Sequence, residues 1–502
     1  MSSVEFLRQL PKVELHAHLN GCIKSSTLFE LAREREVTLN SYHFREKSEP
    51  QALQHAPKSE VPDFDSCPEN FDTDEAMKLY NVHPRSLKDC FDMFAEIPSC
   101  VDDLPALERI TYEALQDFAD HSVAYLELRS TPKRLLYRSD RLLDHGRRVE
   151  SNCPEYNEYI SSNNEGTSGT GPDPVLDRYQ GPKFLESNLA SKEEYIATIL
   201  RVMHDFEEKE TLRWRERRRQ AESDMTDQRV PLRCRLLVAM DRSQSLEEAN
   251  ENVDLAIEFF RRPSPRIVGI DLGGNPTKKD FREFASVAQR ARDAGLRVTI
   301  HCAEVPSDEG KDWSDEDGAT NSDETTQTNR QRFLEAQSIL QFGPDRLGHA
   351  LLLPPSLYDV LRERRIPVET CPTSNVMTLE LSKRANGSLL HGLKQHPNLN
   401  NWLKDRHPIA VGTDDPGVFD TTPTQELLLL SKAFGLSETD IANLVLRSME
   451  FAFCDLATKE EVLHDMQRRT SYLTSLLLDV RDGKEPSSRA EQSLEIFNEL
   501  PN

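Results

Sequence analysis

Two histidines one residue apart, His16 and His18, stand in the stretch LPKVELHAHLNG that runs from Leu10 to Gly21. Side chains alternate between the two faces of a strand, so one face here carries Glu14, His16, His18 and Asn20. Two imidazoles at i and i+2 can aim at one ion, with each nitrogen about 2.0–2.1 Å from a zinc. Such a pair alone recurs by chance and gains weight only from partners. Those partners lie far along the chain: His301 and Glu304 in HCAE, His349 in LGHAL, and the acid pair Asp414–Asp415 in GTDDP. Three histidines and a carboxylate, with a second carboxylate and a glutamate nearby, make a donor set for a catalytic Zn2+, which takes N and O ligands and keeps a position open for water. Singly, each residue has an ordinary use. His349 suits a core histidine, Asp414–Asp415 a turn and helix cap, and Glu304 the solvated edge of an acidic loop. Jointly, at the ends of different strands, they favour a metal site.

The elements that must position them read as eight short strand-like runs. They cover Lys12 to Leu19, Ser122 to Thr131, Arg233 to Arg242, Arg266 to Gly274, Leu296 to Glu304, Asp345 to Leu353, Arg365 to Asn375 and His407 to Pro416. Helical patterns separate them, among them SLEEANENVDLAIEFFRR and FREFASVAQRARDAG, the second ending at a helix-stopping glycine, Gly295. Strand and helix in alternation mean parallel βα units. Eight of them predict an α/β fold, a (β/α)8 barrel of TIM type, whose active site lies at the C-terminal ends of the strands. An open doubly wound sheet is the alternative, weakened because no GxGxxG follows the first strand. A barrel interior favours bulky apolar side chains, so the polar face of the first strand conflicts with packing, and such conflicts mark functional sites.

A single domain is expected over 1–480, with a charged tail over 481–502. Three polar stretches, about 41–74, 137–189 and 306–329, interrupt the frame. Their composition predicts disordered decoration more readily than a lid, although each follows a strand and so belongs to the catalytic face. From Gln425 onward the pattern is mostly helical.

The net charge of −24 disfavours nucleic acid or an anionic membrane as a partner. Nine cysteines without CxxC pairs point to a reducing, cytoplasmic setting rather than a disulfide framework. No secretory signal and no run of about 18 apolar residues is seen. With no long exposed apolar stripe, a monomer is expected.

In order and spacing, PKVELHAHLNG, IDLGG, HCAE, RLGHA and GTDDPGVF resemble the motifs of the adenosine and AMP deaminases, metal-dependent hydrolases of the amidohydrolase kind. Asn20 stands where adenosine deaminases usually carry Asp. With DCFDMF and YLELRSTPKR, it makes the chain similar to the adenosine deaminase-like branch, whose members act on N6-methyl-AMP. The resemblance implies Zn2+ held by His16, His18, His301 and Asp414. It implies Glu304 as proton donor, and His349 and Asp415 on the attacking water. For substrate binding it implies His18, Asn20, Asp415, the backbone of Gly274 against the purine, and Ser130, Thr131, Pro132, Lys133 and Arg242 around a nucleotide. Two departures bear on the substrate. Pro98 stands where the branch often has histidine and offers no side-chain hydrogen bond. Lys133 replaces a common arginine and lacks its bidentate fork. Other readings are an adenosine deaminase proper, another metal hydrolase on the same barrel, or a binding protein that has lost catalysis. A two-metal hydrolase bridged by a modified lysine is disfavoured because no lysine is placed for that role. Retention of the ligands and Glu304 disfavours the non-enzymatic reading.

Overall fold

The strands lie in sequence order in one parallel sheet. They are β1 (Lys12–His18), β2 (Val123–Ser130), β3 (Arg233–Asp241), β4 (Ile267–Gly273), β5 (Arg297–Cys302), β6 (Arg346–His349), β7 (Val368–Thr370) and β8 (Ile409–Val411). This computed structural model describes residues 3–40, 87–137, 154–164, 188–220, 229–304, 324–384 and 388–481. Neighbouring strands pair from β1 through to β8. A parallel bridge between Ala17 and Asp414 brings the last strand back to the first. The architecture is the eight-stranded (β/α)8 barrel expected from the alternation.

Runs of Val, Ile and Leu form the strands, and helices cover their outer side. The helix Leu246–Phe260 starts at a capping box in which Ser245 and Glu248 satisfy each other's backbone N–H. The helix Phe281–Asp293 starts the same way from Asp280 and Glu283. Among the described residues no helix is long and apolar enough to cross a membrane.

Inside the barrel the expected apolar filling is replaced by charge. Glu127, Arg129, Asp271, Arg346 and Glu369 are all fully buried. Arg346 contacts Glu127 and Glu369, each at 2.6 Å, and Arg129 lies 2.9 Å from Glu369 and 3.3 Å from Asp271. Buried ions persist when paired this closely, because each restores part of the solvation the other lost.

Three strand readings are corrected. β1 stops at His18, and Leu19–Cys22 is a 3-10 turn, so Asn20 is positioned by that turn and not by strand alternation. β7 stops at Thr370, and Pro372 opens a helix, Pro372–Thr378, where proline's missing N–H costs nothing. β8 stops at Val411. Within the stretch 137–189, the described residues include the helix Pro154–Asn164. Tyr159 on that helix is buried, stacks on Tyr112 at 4.7 Å, and donates its hydroxyl to Asp205. Averaged composition hides such aromatic anchors. Residues 41–74, most of 137–189, most of 306–329 and the tail beyond Arg481 lie outside the described residues.

Candidate active site and metal centre

The backbone builds the centre of the site before any side chain does. Asp414 is clamped against β1: its N–H donates to the His16 carbonyl at 2.8 Å, and its carbonyl accepts the His18 N–H at 2.9 Å. Asp414 has φ of 62° and His349 has φ of 61°, both in the left-handed region that costs a side-chain-bearing residue energy. Strain of this kind, on the order of 1–3 kcal/mol per residue, persists where the surrounding structure imposes it and gathers at functional sites. The strands therefore turn their last side chains inward over the barrel mouth.

The side chains meet there. His18 Nε2 lies 3.2 Å from His301 Nε2 and 3.4 Å from Asp414 Oδ1, and His16 Nε2 lies 3.5 Å from the same oxygen. For metal–ligand bonds of 2.0–2.1 Å, the edge of a tetrahedron is about 3.3 Å. The spacings therefore suit donors arranged around one small cation. His16, His301 and His349 also bring ring nitrogens within 4.8 Å of one another. Tautomers are fixed from behind. His16 Nδ1 lies 2.6 Å from Glu369, and His301 Nδ1 lies 3.1 Å from both Asp271 and the Leu272 carbonyl. Each ring thus spends its Nδ1–H on an acceptor and keeps a lone pair on Nε2. Ser374 donates to Asp414 Oδ2 at 2.6 Å, which leaves Oδ1 toward the histidines. His16 Nε2, His349 Nε2 and Asp415 Oδ1 are buried without a hydrogen-bond partner. Orphaned polar atoms so placed are costly unless a ligand meets them, and the His16, His18, His301 and Asp414 donors fit a metal ion.

Electrostatics divide the carboxyls. Burial alone would raise Glu369, but Arg129, Arg346 and His16 hold it well below the usual carboxylate range. Asp414 is likewise held low: burial opposes ionisation, and the surrounding histidines outweigh it. Burial and the neighbouring Asp414 carboxylate push Asp415 well up. Glu14, buried and accepting from the His16 and Thr413 N–H groups, is raised to about 8 by burial. Burial also holds His18 well below its ordinary value, so its ring is a neutral donor.

A cavity of about 470 Å³ opens on this cluster. His18, Asn20, Ser130, Thr131, Lys133, Gly274, His301, Glu304, Asp414 and Asp415 line it. Glu304 Oε1 stands 3.8 Å from His349 Nε2. Gly274 has φ of +85°, and a Cβ there would sit 2.7 Å from the Asp241 carboxylate, so only glycine fits. Gly21 is needed for a different reason, since a Cβ would strike Asp415 Oδ1 at 1.7 Å.

Some expectations fail. Arg242 is not at the cavity: its guanidinium is 2% exposed and donates to the Lys279 carbonyl, the His301 carbonyl and Glu335. Those bonds tie the β3 and β5 ends together, which gives Arg242 a bracing role instead of a nucleotide contact. Pro132 is buried away from the cavity lining. Pro98 is exposed on the helix Leu87–Cys100, whose Cys90, Phe94 and Ile97 form the apolar wall, so the substitution there does not touch the cavity. Glu369, Asp241 and Lys278 were missed. Glu369 carried a readable signal, a charge inside a strand run, of the kind that singled out β1.

A family model described as Adenosine deaminase matches residues 328–469. The chain is 27% identical to the N6-mAMP deaminase of Arabidopsis thaliana, over 91% of this chain and 97% of that one. It is 26% identical to the N6-Methyl-AMP deaminase of Homo sapiens, over 91% and 93%. Among solved structures, Arabidopsis ADAL complexed with IMP superposes with a TM-score of 0.57 at 26% identity, covering 93% of this chain and 98% of that one.

Proposed function

We propose that this chain, which belongs to the adenosine deaminase family, hydrolyses the C6–N6 bond of a purine nucleoside monophosphate, with N6-methyl-AMP as substrate and IMP and methylamine as products. One observation carries the reading. A single cavity joins the histidine–aspartate cluster, Glu304 and Asp415 to two cationic side chains, Lys133 and Lys278. The cluster suits hydrolysis, and the lysines suit a 5′-phosphate, whose charge-assisted contacts favour a nucleotide over a nucleoside.

His16, His18, His301 and Asp414 would hold a zinc ion. When bound, that ion supplies a water whose pKa is lowered toward ~7. The chain's own groups do the rest. Asp415 presents an unpartnered oxygen to the water and takes its proton as the oxygen adds to C6. Glu304 donates a proton to purine N1, which draws electrons from C6 and eases addition. The C6–N6 bond then breaks, the amine leaves with a proton, and C6 becomes a carbonyl. Cys90, Phe94 and Ile97 make an apolar wall that excludes bulk water. Gly274 lets the backbone approach the purine face.

The test is a substrate panel of adenosine, AMP and N6-methyl-AMP with zinc-loaded protein, following release of ammonia and methylamine. The expected order places N6-methyl-AMP first. Preference for adenosine over both nucleotides would overturn the phosphate part of the reading.

A further inference from the structure

Behind His349, away from the cavity, a buried chain of polar groups runs through Asn375 to His396. One terminal atom of the Asn375 amide lies 3.1 Å from His349 Nδ1, and the other lies 3.1 Å from His396 Nε2. The amide's two ends are alike in shape, so hydrogen bonding decides which is oxygen and which is nitrogen. His396 settles it. Its Nδ1 accepts two backbone N–H groups, from Asn398 at 3.2 Å and Leu399 at 3.0 Å. A backbone N–H can only donate, so Nδ1 must carry the lone pair. The ring's one proton is then on Nε2, which donates toward Asn375.

It follows that the Asn375 oxygen faces His396. The Thr370 hydroxyl, 3.3 Å from the same end of the amide, can donate to that oxygen as well. The Asn375 NH2 must then face His349 Nδ1 and donate to it. His349 therefore holds its lone pair on Nδ1 and its proton on Nε2. That Nε2–H points into the reaction space, 3.8 Å from both Glu304 Oε1 and Asp414 Oδ2, with no partner of its own. Burial keeps His396 neutral by lowering its pKa to about 3, consistent with this donor–acceptor order.

We propose that Asn375 and His396 are positioning residues for the deamination: together they lock His349 in the Nε2–H tautomer, so that it donates a hydrogen bond to the oxygen adding at C6 instead of removing the water's proton. That proton goes to Asp415, and His349 keeps its own throughout. The inference deepens the hydrolytic reading above and rests on it for the role of the His349 N–H. The tautomer itself does not depend on the substrate.

The experiment reads the tautomer directly, by 15N spectroscopy of histidine-labelled metal-free protein, with the His349 signals assigned by their loss in His349→Asn. A protonated Nε2 and an unprotonated Nδ1 are expected in the wild type. A proton on His349 Nδ1 would overturn the proposal whether or not the protein deaminates anything. Kinetics supply the second reading. Asn375→Asp keeps the shape but cannot donate, so the His349 proton should move to Nδ1, with kcat about 10²-fold lower and KM within about twofold. His396→Gln, whose amide can still donate to Asn375, should retain tautomer and rate, whereas His396→Met should lose both. Equal losses in the Gln and Met variants with an unchanged His349 spectrum would reduce both residues to packing and sink the idea.

Discussion

The waist and the mouth of this barrel hold similar residues in opposite conditions. At the waist every charge has an opposite charge within 3.3 Å: Arg129 with Asp271 and Glu369, Arg346 with Glu127 and Glu369. At the mouth, polar atoms of His16, His349 and Asp415 are buried with no partner, and His349 and Asp414 sit in left-handed backbone. The waist charges neutralise one another as the chain folds, although Arg129 Nε and Nη1 and Asp271 Oδ2 make no hydrogen bond, while the unpartnered atoms of the mouth face a cavity that a ligand can fill. The two regions are nonetheless joined, because Glu369 and Asp271 reach up to fix the His16 and His301 rings. Stability is therefore set at the waist, chemistry at the mouth, and the carboxylates between them contribute to both.

The largest effect should come from emptying the mouth. Chelation should abolish turnover, and added Zn2+ should restore it. Zinc should also raise the melting temperature, since a ligand that binds only the folded state stabilises it by mass action. Calorimetry at rising zinc concentration measures this, and an unchanged melting temperature would mean that the orphaned donors serve no ion. Next comes Glu304→Gln. It should lower kcat by about 10²–10⁴ while leaving zinc content and melting temperature unaltered, because Glu304 faces the cavity and braces nothing. Glu369→Gln is the waist's counterpart. It leaves Arg129 and Arg346 short of an anion, and breaking a buried pair costs about 3–5 kcal/mol. It also loosens His16, so zinc affinity should drop roughly 10–100-fold. Denaturant melts and zinc titration would report both. A variant of Glu369 that kept its stability while losing only rate would break the division between the two regions.

The mouth was far more legible in sequence than the waist. His16 and His18 announce themselves by alternation, and His301, Glu304, His349 and Asp414–Asp415 by standing where apolar runs end. The barrel followed from the same runs. What could not be read depends on pairing across the closed sheet. Nothing local to Arg129 says that Glu369, 240 residues later, neutralises it, and the periodicity of either strand is indifferent to the match. Arg242 is implied as a nucleotide contact by the family resemblance, and its charge at a strand end suits that role. Its real partners, Glu335 and the His301 carbonyl, come from elements whose approach no spacing records. The strand-like run carries on to Asn375 in the sequence, although Pro372 is a helix-start signal that favours the observed helix. Left-handed φ at His349 and Asp414 is imposed by tertiary clamping and has no sequence mark.

The smallest predicted effect sits at the far end of the cavity, where mouth chemistry gives way to recognition. Burial pulls the Lys133 amine below its ordinary value, and only Asp241 opposes the shift. A lysine so placed lacks a full counter-charge, and a bound phosphate would supply one. Lys133→Met keeps the apolar stem and removes the charge. KM for N6-methyl-AMP should rise about tenfold, equivalent to the ~1.4 kcal/mol at the low end of a charge-assisted bond, with kcat and the melting temperature unchanged. Adenosine, which has no phosphate, should be turned over by the variant as by the wild type. If KM rises equally for both substrates, Lys133 shapes the pocket and does not read the phosphate, and Lys278 becomes the next cation to test.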